Sequence, residues 1–167
     1  MSELPDIKKS NAEIDKIEND LNREKNILLS MLRLDKIDPI ISGNKFFKLH
    51  YFLNRAITEQ KQIITFGGAY SNHLAATASA CKMFGIKCIG IVRGEMQKHL
   101  SHTIQFCKEQ GMQLEFISRE DFKKKDDEDF KIKFIQKFGD HILIPEGGFS
   151  KEGSDGAALI SNFYAAQ

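Results

Sequence analysis

The sequence predicts an α/β fold in which helices cover both faces of a parallel sheet, giving a three-layer domain. Between residues 62 and 145, short apolar segments rich in β-branched residues alternate with segments of helical periodicity. Such alternation is typical of parallel strands joined by right-handed crossovers. Gly85, Gly111 and Gly139 each follow a helical segment directly, at the position where a left-handed residue commonly ends a helix.

Composition narrows the class of protein. The chain has 167 residues, of which 41% are hydrophobic and 28% charged, and this length suffices for one domain with a full core. A formal net charge of +1 gives no general electrostatic reason to bind nucleic acid or an anionic membrane. No signal core stands at the N-terminus, and no apolar run approaches the ~18 residues that span a bilayer. We therefore expect a cytoplasmic protein without nucleic-acid or membrane partners.

Three cysteines, Cys81, Cys88 and Cys107, lack C-x-x-C spacing and have no zinc-type pairing with histidine. We therefore expect no metal site. Cys81 and Cys107 fall in helical segments and Cys88 in an apolar strand. This placement predicts reduced, buried thiols that act as small hydrophobic side chains.

The remaining elements follow from periodicity. Residues 10–25 favour a helix, because Ile14, Ile17 and Leu21 recur at spacings of three and four. Residues 26–35 form a near-continuous apolar run, typical of a strand covered on both sides. The other predicted strands are 62–66, 87–92, 113–117 and 141–145, and the other predicted helices are 45–58, 72–84, 99–110, 126–138 and 154–166.

Two motifs carry candidate chemistry. SGNKFFKL at residues 42–49 places Lys45 and Lys48 three residues apart at the start of a helix, so both can face one cleft. GGAYSNH at residues 67–73 follows a strand at its carboxyl end, where open α/β sheets bind ligands. A lysine amine forms a Schiff base only when unprotonated, so Lys45 requires an apolar or cationic setting for this chemistry.

Each motif also has a simpler interpretation. Lysines on a helix are most often solvated surface residues, which would apply to Lys45 and Lys48. Ser71 or Asn72 could cap the following helix, although the free N–H groups there also favour an anion such as a substrate carboxylate. The two roles are compatible. His73 flanks the motif and is equally well a helix-surface residue, so it receives no role.

Taken in order, the motifs GNK-x-x-KL and GG-x-x-SN resemble the 1-aminocyclopropane-1-carboxylate deaminase and D-cysteine desulfhydrase family of pyridoxal phosphate enzymes, which have the tryptophan-synthase-like fold. RLDKIDPIISGNK at residues 33–45 and IPEGGFSKEGSDGAA at residues 144–158 are also similar to this family. The similarity runs over about residues 27–158.

The resemblance implies roles for individual residues. Lys45 corresponds to the catalytic residue that holds pyridoxal 5'-phosphate, and Asn44 shapes the turn before it. Asn72 corresponds to a ligand of the cofactor's phenolic oxygen, and Ser71 to a group that binds the substrate carboxylate, beside Asn72, and moves protons near the lysine. Tyr70 replaces a glutamine of well-known members, so substrate choice does not carry over.

The resemblance also implies a domain arrangement. Residues 1–44 correspond to the N-terminal segment of a larger domain, residues 45–150 to a smaller α/β domain, and residues 151–167 to the start of the return to the larger domain. The family's C-terminal half, which brings a glycine-rich phosphate cup, an acidic partner of the pyridine nitrogen and a catalytic tyrosine, has no counterpart in the 167 residues. We therefore expect these residues alone to be inactive.

Three functions follow from the sequence. An intact member would release ammonia and a 2-oxo acid from a small amino acid of the 1-aminocyclopropane-1-carboxylate or D-cysteine class. The alternative is a non-catalytic remnant, or half of a split enzyme that acts as a binding module. We expect a homo-oligomer or a complementary C-terminal half as partner. An unrelated nucleotide-binding domain is disfavoured, because the chain has no complete phosphate-binding glycine motif.

Overall fold

A four-stranded parallel sheet lies at the centre of the computed structural model, which describes residues 13–165 and the side chains of residues 13–161. Its strands are β3 (Gln62–Gly67), β4 (Cys88–Arg93), β5 (Gln113–Ile117) and β6 (His141–Ile144). Across the sheet they run in the order β5-β4-β3-β6. Ile63 of β3 lies opposite Cys88 on one side and Ile142 on the other. The predicted parallel sheet is confirmed.

Helices cover both faces of this sheet. On one face lie α2 (Lys45–Thr58), α3 (Asn72–Met83) and α4 (His102–Glu109), and on the other lie α5 (Arg119–Lys123) and α6 (Glu128–Phe138). Successive residues of a strand point to opposite faces, so Ile63 packs towards α2 and α3, whereas Ile64 and Phe66 pack towards α5 and α6. The three-layer architecture is thus confirmed. No helix within residues 13–165 is long and apolar enough to cross a bilayer.

The ends of these elements follow from local chemistry. Gly85, Gly111 and Gly139 have φ of +67°, +88° and +76°, as expected for helix stops. The predicted helix 99–110 begins later, at His102, because the Ser101 hydroxyl caps it by accepting from the Ile104 N–H at 3.2 Å. Helix α5 was not predicted, because five residues are too short to show a periodicity.

The N-terminal region differs from prediction. Residues predicted as a helix over 10–25 instead form strand β1 (Ile14–Ile17) and a short helix α1 (Asp20–Glu24), and residues 10–12 lie outside the described part. Strand β2 (Leu29–Leu32) pairs with β1 in an antiparallel hairpin apart from the main sheet. Pairing with a distant strand has overridden the local helical spacing.

Strand β2 is also more exposed than predicted. The run at 26–35 was expected to be covered on both sides, but Leu28, Leu29 and Met31 are 102%, 47% and 51% exposed. Only Leu32 and Leu34 pack against a core, formed around Ile37 and Phe47. The described residues therefore leave this apolar hairpin without a covering layer.

The last helix, α7 (Lys151–Ala165), packs directly on α2. Gly156 permits this close approach, since a Cβ there would lie 2.2 Å from the Phe47 carbonyl oxygen on α2. Gly153 packs instead on the preceding turn, where a Cβ would lie 2.0 Å from the Gly148 oxygen. Leu159 and Ile160 then cover the core around Phe47. Helix α7 begins three residues before its predicted start, because the Ser150 hydroxyl accepts from the Gly153 N–H at 3.1 Å.

All three cysteines are buried and free, as predicted. Burial raises the pKa of the Cys107 thiol to about 12, and a hydrogen bond to Cys88 followed by burial raises the pKa of the Cys81 thiol. Thiols with raised pKa values are poor nucleophiles. The cysteines therefore contribute to packing.

Candidate active site

Three segments meet at the carboxyl edge of the sheet. They are the start of α2 with Lys45, the loop from Gly67 into α3, and a 3-10 turn at Glu146–Gly148 after β6. Since β3 and β6 are parallel neighbours, their following loops emerge at the same edge. The same turn brings the two sequence motifs together, because a Cβ on Gly148 would lie 3.5 Å from the Lys48 Cβ and 3.9 Å from the His73 Cε1.

Lys45 and Asn72 line one cleft of about 460 Å³. The other lining residues are Pro39, Ile40, Ser42, Ala75, His102, Thr103 and Phe106. Lys45 is half-buried, and its Nζ donates to the Asn44 Oδ1 at 3.3 Å. Asn72 is exposed, and its side chain bonds to none of residues 13–161. The structure thus joins the lysine of the first motif to the asparagine of the second.

The surroundings of Lys45 favour its neutral form. Burial lowers the pKa of the Lys45 amine, and the nearby positive charge of Lys48 lowers it further. Lys48 is half-buried too, with Nζ 3.4 Å from the Gly147 carbonyl oxygen. Neither residue is the fully solvated surface lysine of the simpler interpretation. The depressed pKa is the setting that Schiff-base chemistry requires.

The Asn44 side chain contributes to the site by accepting a hydrogen bond from Lys45. The residue precedes α2, and its backbone oxygen accepts from the Lys48 N–H at 3.0 Å. Its amide makes no capping bond and contacts Lys45 instead. The turn itself depends on Gly43, whose φ is +63°, a conformation that glycine adopts without strain.

Ser71 caps α3, and Asn72 does not. The Ser71 hydroxyl accepts from the Leu74 N–H at 3.2 Å, which leaves its own proton free to donate. Gly67 makes room for it, since a Cβ there would lie 2.6 Å from the Ser71 Oγ. The backbone N–H groups of Asn72 and His73 have no acceptor among the described residues. A free hydroxyl and two free N–H groups thus cluster beside Lys45's cleft.

His73 is a site residue that sequence reasoning missed. It is only 4% exposed, and its Nε2 lies 2.9 Å from the Thr65 hydroxyl, which donates its single proton to the Ile144 carbonyl at 3.0 Å. The hydroxyl must therefore accept from His73 Nε2–H, so Nδ1 is an unprotonated acceptor. This buried Nδ1 has no partner among the described residues.

The charge state of His73 agrees with this tautomer. Burial above all, and then the charges of Lys45 and Lys48, lower the pKa of the His73 imidazole to about 4. A signal for its burial existed in the sequence: His73, Thr77 and Ala80 share one helical face, and all three are buried. The alternative of a helix-surface histidine is wrong.

Fold and site together define the class of protein: a domain of the tryptophan-synthase-like pyridoxal phosphate enzymes. A solved structure of an ACC deaminase homologue superposes with a TM-score of 0.74 at 26% identity, covering 94% of this chain and 48% of that one. A fungal L-serine ammonia-lyase from Rhizomucor miehei, at 15% identity and a TM-score of 0.63 over 94% of this chain and 46% of that one, shares the fold.

Sequence comparison narrows the class. A Thermotoga maritima protein named "Putative 1-aminocyclopropane-1-carboxylate deaminase" is 32% identical over 127 residues, which make up 74% of this chain and 40% of that protein. No family model matches the chain. Over these residues the chain is homologous to proteins named as 1-aminocyclopropane-1-carboxylate deaminases. It spans less than half the length of these relatives.

Proposed function

We propose that Lys45 holds pyridoxal phosphate in this chain and that the start of α3 holds the carboxylate of a small amino acid, as parts of a deaminase or lyase site. One observation carries this proposal: Lys45 and Asn72, from separate motifs, line the same cleft at the carboxyl edge of the sheet. In α/β folds this edge is where ligands bind.

The residues present fit the cofactor. Lys45, whose amine has a lowered pKa, would supply the neutral amine that an aldehyde cofactor requires. Asn44 and Asn72 offer amide groups beside that amine, to hold polar substituents of the cofactor ring. The unpartnered Nδ1 of His73 adds a buried acceptor close to the same lysines. Buried polar atoms are ordinarily paired, so this one suits a site that is completed by a ligand.

Pyridoxal phosphate, when bound, supplies an electron sink that stabilises negative charge on the substrate carbon. The chain's residues perform the remaining tasks. Lys45, at the start of α2, would hold the cofactor through its amine and would accept or return a proton, and Ser71, at the start of α3, would offer its free hydroxyl proton. The N–H groups of Asn72 and His73 bind the substrate carboxylate at the positive end of α3. The products of such a site are ammonia and a 2-oxo acid.

We infer a substrate of the 1-aminocyclopropane-1-carboxylate or D-cysteine class. The first is supported by the names of the relatives, and the second only by the resemblance of the motifs. Tyr70, which is 73% exposed at the tip of the loop, has its ring 5.8 Å from that of His102, and His102 lines the cleft. His102 is therefore placed to contact the part of the substrate that differs between the two, with Tyr70 against it outside the cleft.

The test is covalent labelling. The chain is incubated with pyridoxal phosphate, reduced with borohydride and mapped by peptide mass spectrometry. We expect the label mainly on Lys45, and on Lys48 at the level of an exposed lysine such as Lys82. The Lys48→Ala variant is the matched control and should retain the Lys45 label. Label mainly on Lys48, or spread evenly over surface lysines, contradicts the proposal.

The exposed hairpin favours a second candidate function, in which the chain is one half of a site completed by another polypeptide. Residues of β1 and β2 line a cleft of about 850 Å³ whose walls include Ile14, Ile17, Leu28 and Leu29. An apolar concave surface of this kind is typical of a protein–protein contact. A complementary segment or a second copy of the chain could cover it.

A further inference from the structure

We propose that the chain has a second ligand site, for a small metabolite bearing an oxyanionic group, on the side of the sheet opposite Lys45's helix. A pocket of about 610 Å³ lies at the carboxyl edge, between the loop after β3 and helix α5. Its volume is within the range of ~300–1,000 Å³ that small-molecule sites occupy. Its lining comprises loop residues 68–70, the Phe122 ring, the Glu146 carboxylate and four cationic side chains.

Cationic side chains outnumber carboxylates in the lining of this pocket. Four cationic side chains line it against one carboxylate, that of Glu146. Lys123 and Lys125 have carboxylate neighbours: Glu120 at 3.0 Å from Lys123, and Asp126 and Glu146 at 3.4 and 3.7 Å from Lys125. Arg93 and Arg119 have none among the described residues. The unpaired positive charge of the pocket therefore lies on its two arginines.

Arg93 is held in place without an anionic partner. Its guanidinium lies 5.6 Å from the centroid of the Phe122 ring, and the Lys125 amine lies 5.4 Å from the same centroid. The Arg93 Nη2 also reaches within 3.6 Å of the position that a Cβ on Gly68 would take. The aromatic ring and the glycine thus position the guanidinium, and no carboxylate among the described residues occupies its two-pronged donor face.

The loop adds neutral donors to the cations. The N–H groups of Gly68, Ala69 and Tyr70 have no acceptor among residues 13–161. Gly68 has no side chain to keep a ligand from the backbone. A guanidinium fork matches the two oxygens of a carboxylate or phosphate, and free N–H groups complete such a shell. These donors are distinct from the Asn72 and His73 N–H groups assigned to the substrate carboxylate.

Calorimetric titration of the full chain tests this site, with inorganic phosphate and malonate as separate probes at constant low ionic strength. We expect at least one probe to bind, and the tighter one identifies the ligand as a phosphate or a carboxylate compound. Arg93→Gln and Arg119→Gln should each weaken binding by roughly 10-fold, because each removes a charged, two-pronged donor. Arg119 is an exposed residue, so its substitution leaves the fold intact.

Two matched variants make the result decisive. Lys82→Gln removes one positive charge from the end of α3, outside the pocket, and should leave affinity within about 2-fold of the parent chain. Lys45→Ala should also leave the affinity for the probes unchanged, because Lys45 does not line this pocket. The second site does not rest on the proposed function. Absence of binding by both probes overturns the proposal. So does an equal loss of affinity in Lys82→Gln and Arg93→Gln, which would indicate a mere effect of net charge.

Discussion

The imidazole of His73 donates from Nε2 to the Thr65 hydroxyl at 2.9 Å, and this contact joins α3 to the central strand β3. Thr65 in turn donates to the Ile144 carbonyl on β6 at 3.0 Å. A chain of two hydrogen bonds thus connects the loop motif with the strand that precedes the turn at Glu146–Gly148. These two hydrogen bonds fix the start of α3, where the candidate site lies. They leave the buried Nδ1 of His73 without a partner among the described residues.

Acid is expected to destabilise the protein through His73. Its pKa is about 4 in the folded state, below the value of about 6.5 of an unperturbed histidine. The folded state therefore binds fewer protons than the unfolded state between these values, and stability rises with pH across the window. The contribution of His73 to the free energy of unfolding is complete above about pH 6.5. It falls as the pH decreases towards 4, by up to about 3 kcal/mol. Urea unfolding at pH 7.5 and 4.5 measures the difference.

A matched pair of variants isolates this contribution. His73→Phe removes the titrating ring, so the fall in unfolding free energy between the two pH values should shrink by about 2–3 kcal/mol. His99→Gln removes an exposed histidine and should retain the full fall. Parallel pH dependence in His73→Phe and the parent chain would show that His73 is not the group responsible.

The parallel sheet could be predicted from the sequence because its signal is local. Every residue of β3 from Ile63 to Gly67 is buried, and a strand covered on both faces shows this as a continuous apolar run. The candidate lysine and loop were predictable for a different reason, since each lies within a short motif. Their arrangement in one cleft then follows from parallel pairing of the strands.

The hairpin and the second pocket could not be predicted, because both depend on contacts between distant residues. Ile14 and Ile17 have helical spacing, but Ile14 pairs with Leu32, and nothing local reveals that partner. Arg93 and Arg119 stand 26 residues apart and meet because β4 and β5 are neighbours. The burial of His73 had a local signal in the helical face that it shares with Thr77 and Ala80, but its hydrogen-bond partner Thr65, in the preceding strand, had none.

Helix α7 is expected to tolerate no side chain at Gly156. An alanine Cβ would lie 2.2 Å from the Phe47 oxygen and 3.5 Å from the Lys48 Cα. Because the obstruction is backbone, α7 must move away from α2, at a cost of about 1–3 kcal/mol. The middle of that range, about 2 kcal/mol, exceeds the ~1 kcal/mol that alanine gains over glycine in a helix. Thermal and urea unfolding of Gly156→Ala should therefore show a net loss of stability.

Ser154→Ala is the matched control for this prediction. It lies in the same helix on an exposed face, and it gains helix propensity without a new contact. We expect its unfolding free energy to be equal to that of the parent chain or slightly higher. Since α2 carries Lys45, Gly156→Ala should also reduce labelling of Lys45 by pyridoxal phosphate. Unfolding and labelling like those of the parent chain would show that α7 does not pack tightly on α2.

The apolar hairpin is expected to drive association of the chain. Ile27, Leu29 and Met31 are 52%, 47% and 51% exposed, and burial of one large apolar side chain stabilises by ~1.5–3 kcal/mol. Two copies, or one copy and a complementary segment, can bury all three. Sedimentation velocity over a range of protein concentrations should therefore show oligomers, and limited proteolysis should remove the hairpin before it cuts the central sheet.

A double variant tests whether the hairpin is the cause. Leu29→Thr with Met31→Thr retains strand propensity while it removes apolar surface, so it should shift the chain towards monomer. Met83→Gln replaces a residue of similar exposure, 56%, at the end of α3, and should associate like the parent chain. A parent chain that is monomeric at all concentrations, with a hairpin as protease-resistant as the sheet, would show that these side chains need no cover. Equal association in the double variant and the parent chain would place the contact on another surface.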